Sequence, residues 1–247
     1  MRLSSPRFIT PCSPVNFFRI APLCIALCVV ASALPAHAEA PMSTDDAGTL
    51  DQGAMKLETV FSRDDKTNGA ALLFGAGVWP HVEIEVSLAR ARDSHPSPSA
   101  TFQAQGFGVK WVPYQNERGW SLGARWDLGR LQVRDRVTPE RFTERGYQLT
   151  ALASYRLAND QVLHLNAGQK TVQSQGTRHR AATWAAGYEV PLANALQLTM
   201  EVVGAQRTRP DKAVGVRYAI NDHIKASAAI GRGNGRTFGQ VGAAWEF

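Results

Sequence analysis

The chain has 247 residues, 44% hydrophobic and 19% charged, with a formal net charge of +6 and three cysteines. That length suits one domain with a sizeable core. The positive excess is mild and forms no basic run, so nucleic acid is excluded as a partner.

Residues 1–38 contain Arg2, Arg7 and Arg19, no acid, and the apolar run IAPLCIALCVVASAL before Ala36-His37-Ala38. A basic start, an apolar stretch and a small-x-small site form the pattern of a secretory signal peptide, cleaved after Ala38, with Ala36 and Ala38 as the small residues read at cleavage. The run falls short of the roughly 20 residues of a membrane helix, and Pro22 and Pro35 break it. Leucines precede Cys24 and Cys28, where lipoprotein processing wants a small residue. All three cysteines (Cys12, Cys24 and Cys28) lie in this segment, and the remainder carries a net charge of +3. The processed chain therefore has no disulfide, thiol nucleophile or cysteine metal ligand.

Residues 39–52, EAPMSTDDAGTLDQ, are polar and read as a loose periplasmic lead-in. From residue 53 to 247 apolar and polar positions alternate between turn-rich breaks, and no helical period competes. The pattern predicts twelve strands, at 53–63, 68–78, 82–92, 100–112, 119–131, 145–157, 162–173, 179–190, 195–206, 211–220, 223–232 and 236–247. Val82, Ile84, Val86 and Leu88 oppose Glu83, Glu85 and Ser87, and Trp120, Leu122, Ala124, Trp126 and Leu128 oppose Ser121, Gly123, Arg125 and Asp127.

Alternation alone leaves open which face is inside. Strand length favours a membrane: the predicted strands exceed the soluble mode of about 5–6 residues and match the roughly 9–11 that cross a bilayer at a tilt. With the amino end periplasmic, Trp79, Trp111, Tyr114, Trp120, Tyr155, Tyr188, Tyr218, Trp245 and Phe247 all fall beside periplasmic turns or at the terminus. Trp and Tyr prefer the headgroup level, so these residues form a periplasmic aromatic girdle. The expected fold is all-β: a transmembrane antiparallel β-barrel of about 12 strands in the outer membrane of a Gram-negative bacterium. Phe247 then faces lipid in the closing strand, as does the terminal aromatic by which such barrels are recognised for assembly. The expected partners are outer-membrane lipids, lipopolysaccharide, and the outer-membrane assembly machinery, met through the C-terminal strand.

The stretch TDDAGTLDQGAMKLET (Thr44 to Thr59) resembles the opening of an outer-membrane barrel family annotated from the phenol-degradation (MetA) pathway. There an acidic-Gly-Thr-Leu segment leads into a first strand ending near a Leu-Glu pair, here Leu57-Glu58. VWPHVEIEV and GFGVKW resemble that family's second periplasmic turn and a later glycine-rich strand, and the cover is mainly residues 44–112. The resemblance implies an outer-membrane barrel that serves as a channel.

Catalytic signals are sparse. Gly119-Trp120-Ser121-Leu122-Gly123 matches G-x-S-x-G in letters, but a nucleophile elbow needs a sharp strand-to-helix turn and this run continues as an alternating strand. A tight turn at Ala158 to Asp160 would set Ser154 opposite His164, the start of a barrel hydrolase site; in a lumen full of polar residues one such chance pairing is expected, which is the plainer explanation. His81, His95, His179 and His223 fall in turns and loops without metal-ligand spacing, so neither metal nor cofactor is expected.

The inward face carries the remaining chemistry. Its acids are Glu58, Glu83, Glu85, Asp127, Glu189 and Glu201; its bases are Lys56, Lys110, Arg125, Arg156, Lys170, Arg217 and Lys225, with His164 among them. Opposed charges can select solutes in an open pore or pair across strands and fill it. Arginines at the outer ends (Arg134, Arg136, Arg141, Arg178, Arg180, Arg207, Arg209, Arg232 and Arg236) suit lipopolysaccharide phosphates or solvated loop tips. The expectation is a narrow channel or transporter for small polar or aromatic solutes. A barrel enzyme acting on lipid or lipopolysaccharide and a closed structural or adhesion barrel are the alternatives.

Overall fold

The computed structural model describes residues 39–93, 100–135 and 141–247. The signal segment with Ala36 and Ala38, and also His95 and Arg136, lie outside the described residues. Twelve strands follow one another: β1 Met55–Asp64, β2 Thr67–Trp79, β3 Val82–Asp93, β4 Ala100–Tyr114, β5 Gly119–Asp135, β6 Arg141–Arg156, β7 Val162–Ser174, β8 Thr177–Ala193, β9 Leu196–Ala205, β10 Asp211–Ala219, β11 Ile224–Gly233 and β12 Arg236–Glu246. Each pairs antiparallel with its neighbours, and β12 returns to β1, so the sheet closes as an all-β barrel with no helix among the described residues. The seam is sealed where Met55 and Phe247 exchange backbone hydrogen bonds of 2.7 and 2.9 Å.

The alternation places the apolar face outward. On β5, Trp120, Leu122, Trp126 and Leu128 are exposed, while Ser121 and Arg125 are buried inside. Of the nine aromatics expected at the end that carries β1's start and β12's finish, Trp79, Tyr114, Trp120, Tyr155, Tyr218, Trp245 and Phe247 lie at or beside strand ends, and Trp111 and Tyr188 lie further inside β4 and β8. Trp120 packs on Tyr155 at 5.0 Å and Trp245 on Phe247 at 4.4 Å between ring centroids. Tyr188, less exposed than the rest, donates its hydroxyl hydrogen to Gln161.

Two strands run well beyond their predicted ends, β5 to Asp135 and β6 from Arg141. The cause is an inversion of chemical sense along one unbroken period. Past Gly129 the inward residues become Leu131 and Val133, both buried, and the outward ones become Arg130, Gln132 and Arg134. The wall there is built like a soluble barrel, apolar within and polar without, and Ala100 and Phe102 of β4 join its buried interior. β4–β8 have 13 to 17 residues and β9–β12 only 9 to 11, so one side of the barrel stands taller.

Residues 39–52 were expected to be a loose lead-in. They instead enter the lumen, where Ala40, Pro41, Met42, Thr44, Asp45 and Ala47 are all buried. Ala47 packs with Val112 of β4 and Leu152 of β6 in a small apolar cluster. A segment with no period of its own has no sheet to join; it is held by what the lumen wall offers.

Candidate functional site

The wall offers side chains wherever the lead-in's backbone needs partners. Glu201 of β9 accepts from the amides of Ser43 and Thr44 at 2.7 and 2.9 Å and from the Thr44 hydroxyl at 3.0 Å. Asn166 of β7 accepts from the Asp45 amide at 2.7 Å and donates to the Asp45 carbonyl at 2.8 Å, doing for this segment what a paired strand would do. The amides of Ala40, Ala47 and Leu50 donate to Glu58, Ser154 and Glu83. Arg217 of β10 donates to the carbonyls of Glu39 and Ala40, and Gln240 of β12 to that of Pro41. Buried backbone amides left without partners would each cost about 1–3 kcal/mol, so these bonds are a condition of burial.

The lead-in's acids complete an ionic net. Asp45 lies 3.2 Å from Lys110 and 3.1 Å from Arg125, and Asp46 lies 3.0 Å from Lys110. Arg125 also meets Glu85 at 2.5 Å and Asp127 at 2.8 Å. Lys56 stands between Glu83 and Glu85 at 3.6 and 3.5 Å. At the other end of the segment Glu39 pairs with Lys225 at 2.8 Å, and Arg217 pairs with Glu189 at 2.8 Å. Charges of both signs taken out of bulk water are tolerable only when each has a partner.

Glycines make the room. A Cβ on Gly187 would run into Met42 and Thr44, one on Gly77 into the Asp51 carbonyl, and one on Gly215 would lie 2.8 Å from Pro41. The wall is thus shaped to the segment as well as bonded to it. Hydrogen exchange should therefore find the amides of Ser43, Thr44, Asp45 and Ala47 protected, unlike a frayed terminus. Gly187→Val, which crowds Met42 out, should abolish that protection while leaving exchange in β8 slow. Fast exchange at those four amides in the unaltered protein would refute the arrangement.

Of the charged residues expected inside, Lys56, Glu58, Glu83, Glu85, Lys110, Arg125, Glu201 and Arg217 are buried, together with His164. Asp127, Lys170, Glu189 and Lys225 are half-buried, and Arg156 is exposed at the end of β6. The alternation located these residues but missed Glu39, Asp45, Asp46 and Asn166. The one available signal for the three acids was that the lead-in holds no lysine or arginine to pair with them.

The expected Ser154–His164 pairing is present. The two residues are in register, with the serine Oγ 2.8 Å from His164 Nδ1 and Glu189 3.9 Å from Nε2. Nucleophile, base and acid are in order, but the Ala47 amide donates to the Ser154 hydroxyl oxygen at 2.7 Å and the lead-in covers it. In this state the pair clamps the segment. Ser121 of the G-x-S-x-G run lies in a straight strand and accepts from the Asn116 amide at 2.9 Å, which fastens the β4–β5 turn. No group of three potential metal ligands occurs among the described residues.

A family model described as "Uncharacterised conserved protein UCP029691" matches residues 26–239. The chain belongs to this family. No curated protein gives a significant match to this UCP029691 member. Among solved structures it is similar to the KdgM porin in complex with disordered oligogalacturonate, at 11% identity and a TM-score of 0.62, over 78% of this chain and 99% of that one. It is also similar to the translocator domain of the autotransporter NalP from Neisseria meningitidis, at 13% identity and a TM-score of 0.59, over 92% and 98% of the two chains. The COG4313 outer membrane channel from Pseudomonas putida F1 gives 12% identity and a TM-score of 0.58 over 82% and 98%. At such identities the likeness is one of fold, and it bears out the twelve-stranded antiparallel barrel, of the kind found in outer-membrane proteins, that the alternation and the resemblance led us to expect. It adds nothing to the phenol-degradation link.

Proposed function

We propose that this UCP029691 member lies in the outer membrane as a narrow channel for small polar or aromatic solutes, closed at rest by its own residues 39–52. The observation that carries the reading is what fills the lumen. A closed structural barrel of about eight strands fills itself with wall side chains, whereas in this twelve-stranded one a separable, noncovalently held segment fills the lower lumen, over glycines cut to its outline. Withdrawal of the segment frees the wall residues that hold it in the lower lumen, Glu58, Glu83, Lys110, Glu201 and Arg217, and the apolar layer of Phe102, Leu131 and Val133 stands above them. Charged and apolar layers in series suit solutes with a polar group and an aromatic ring. The lipid-hydrolase alternative is weaker, because Ser154 faces the lumen and not the outward face where lipid would lie.

The outward apolar band, nine residues from Trp120 to Leu128 on β5, supports membrane placement. β12, with Trp245 and Phe247 outward, is the surface offered to the assembly machinery. Thr143→Cys should react with an impermeant thiol reagent on intact cells, whereas Asn159→Cys and Asp222→Cys should not. The reverse pattern would overturn the orientation. Planar-bilayer recording tests conduction itself: the intact protein should be silent or open only briefly, and a variant lacking the segment should conduct steadily.

A further inference from the structure

We infer that the outward face of β3–β8 beyond the apolar band is a binding site for the phosphate groups of lipid A, the membrane anchor of lipopolysaccharide. The inference rests on the outer-membrane placement above, and not on conduction.

Its centre is two pairs of arginines. Arg130 of β5 is in direct register with Arg145 of β6, and Arg134 with Arg141. All four are exposed. Like charges directly opposed across an antiparallel ladder are destabilising, so each pair weakens the isolated barrel. On these strands Asp135 and Glu144 alternate to the opposite, inward face, where Glu144 is buried beside Leu131. A tetrahedral dianion between two guanidiniums reverses the sign of the interaction, because each fork can donate two hydrogen bonds to phosphate oxygens.

The ladder extends the patch in both directions. Arg92 neighbours Thr101, which neighbours Arg134, and Arg90 connects through Gln103 to Gln132. On the other flank Arg145 neighbours Gln173 and Gln173 neighbours Arg178, and all three are exposed. Arginines and amide donors thus form one continuous outward surface across six strands.

Its height identifies the ligand. The apolar band ends at Leu88, Leu128 and Tyr147, and the next outward residues are Arg90, Arg130 and Arg145. Tyr147 marks the boundary itself: its hydroxyl accepts from Arg178 at 2.8 Å, and that guanidinium lies 5.7 Å from its ring centre. A phosphate at this level belongs to a lipid headgroup with its acyl chains against Leu128 and Trp126. The shorter side of the barrel differs: Arg236 there turns to Asp64 and Asp211 at 2.8 and 3.0 Å.

The test uses the folded full-length protein in lipopolysaccharide-free detergent, titrated with bis-phosphorylated lipid A or with its dephosphorylated form. Bis-phosphorylated lipid A should raise the unfolding temperature, and the dephosphorylated form should not. R130Q/R145Q and, separately, R134Q/R141Q should each weaken binding by about tenfold. Without lipid the same variants should unfold at an equal or higher temperature than the parent, since a repulsion has been removed. The control R63Q/R232Q, outside the patch, should bind normally. Unchanged affinity in both double variants, equal binding of dephosphorylated lipid A, or equal stabilisation by inorganic phosphate alone would overturn the proposal. Failure of conduction with lipid A binding intact would overturn only the channel.

Discussion

Deletion of residues 39–52 should turn a silent barrel into one that shows resolvable single-channel steps in a planar bilayer. The deletion removes the chain that occupies the lumen and leaves the closing hydrogen bonds of Met55 with Phe247 in place. The wall's own ion pairs also survive, because Arg125 keeps Glu85 at 2.5 Å and Asp127 at 2.8 Å, and Lys110 keeps Glu83 at 3.9 Å. The variant should therefore still show the heat-dependent gel mobility of a folded barrel. A synthetic peptide of residues 39–52, added to the conducting variant, should block it, and the same peptide with Asp45→Asn and Thr44→Ala should block it less well. Those changes remove Asp45's ionic contacts with Lys110 and Arg125 and the hydroxyl bond to Glu201, leaving Asp46 on Lys110. A folded deletion variant that passes no current would sink the channel reading.

The second large effect should come from Arg125→Met. Its side chain is only 2% exposed and serves three carboxylates, Asp45, Glu85 and Asp127. Methionine keeps much of the volume and removes the charge, leaving acids that the buried lumen cannot hydrate. Removing one partner of a buried ion pair costs about 3–5 kcal/mol, far more than the pair itself contributes against an apolar replacement. Denaturant unfolding in detergent should register that loss. The cost should be smaller in the variant lacking residues 39–52, because Asp45 is then absent, and the difference between the two backgrounds measures the coupling of plug to wall. Equal costs in both backgrounds would mean that Asp45 and Arg125 do not act together.

The twelve strands could be read from the sequence because each carries its own evidence. In Val82–Leu88 or Trp120–Leu128 a period of two is a local property, and the antiparallel order follows from short breaks between successive strands. The inward set was readable for the same reason: a strand that shows its apolar face outward must turn Glu83, Lys110 and Arg125 inward. Even the Ser154–His164 contact followed from counting back across one tight turn. What occupies the space between the walls was a different kind of question. Residues 39–52 have no period, and their partners Ser154, Asn166 and Glu201 stand 107 to 158 positions away along the chain. Only closure of the barrel gathers those side chains around one path, so the plug is a product of tertiary structure. The glycines at 187 and 215 likewise carry no local sign of the segment they accommodate. The arginine face was half legible: its residues stood at strand ends, but register alone sets Arg130 against Arg145. Local periodicity, then, determined the barrel, and strand length with the aromatic girdle determined which face turns outward. Long-range closure decided what fills the lumen and which charges meet, because those contacts join residues that no repeating pattern connects.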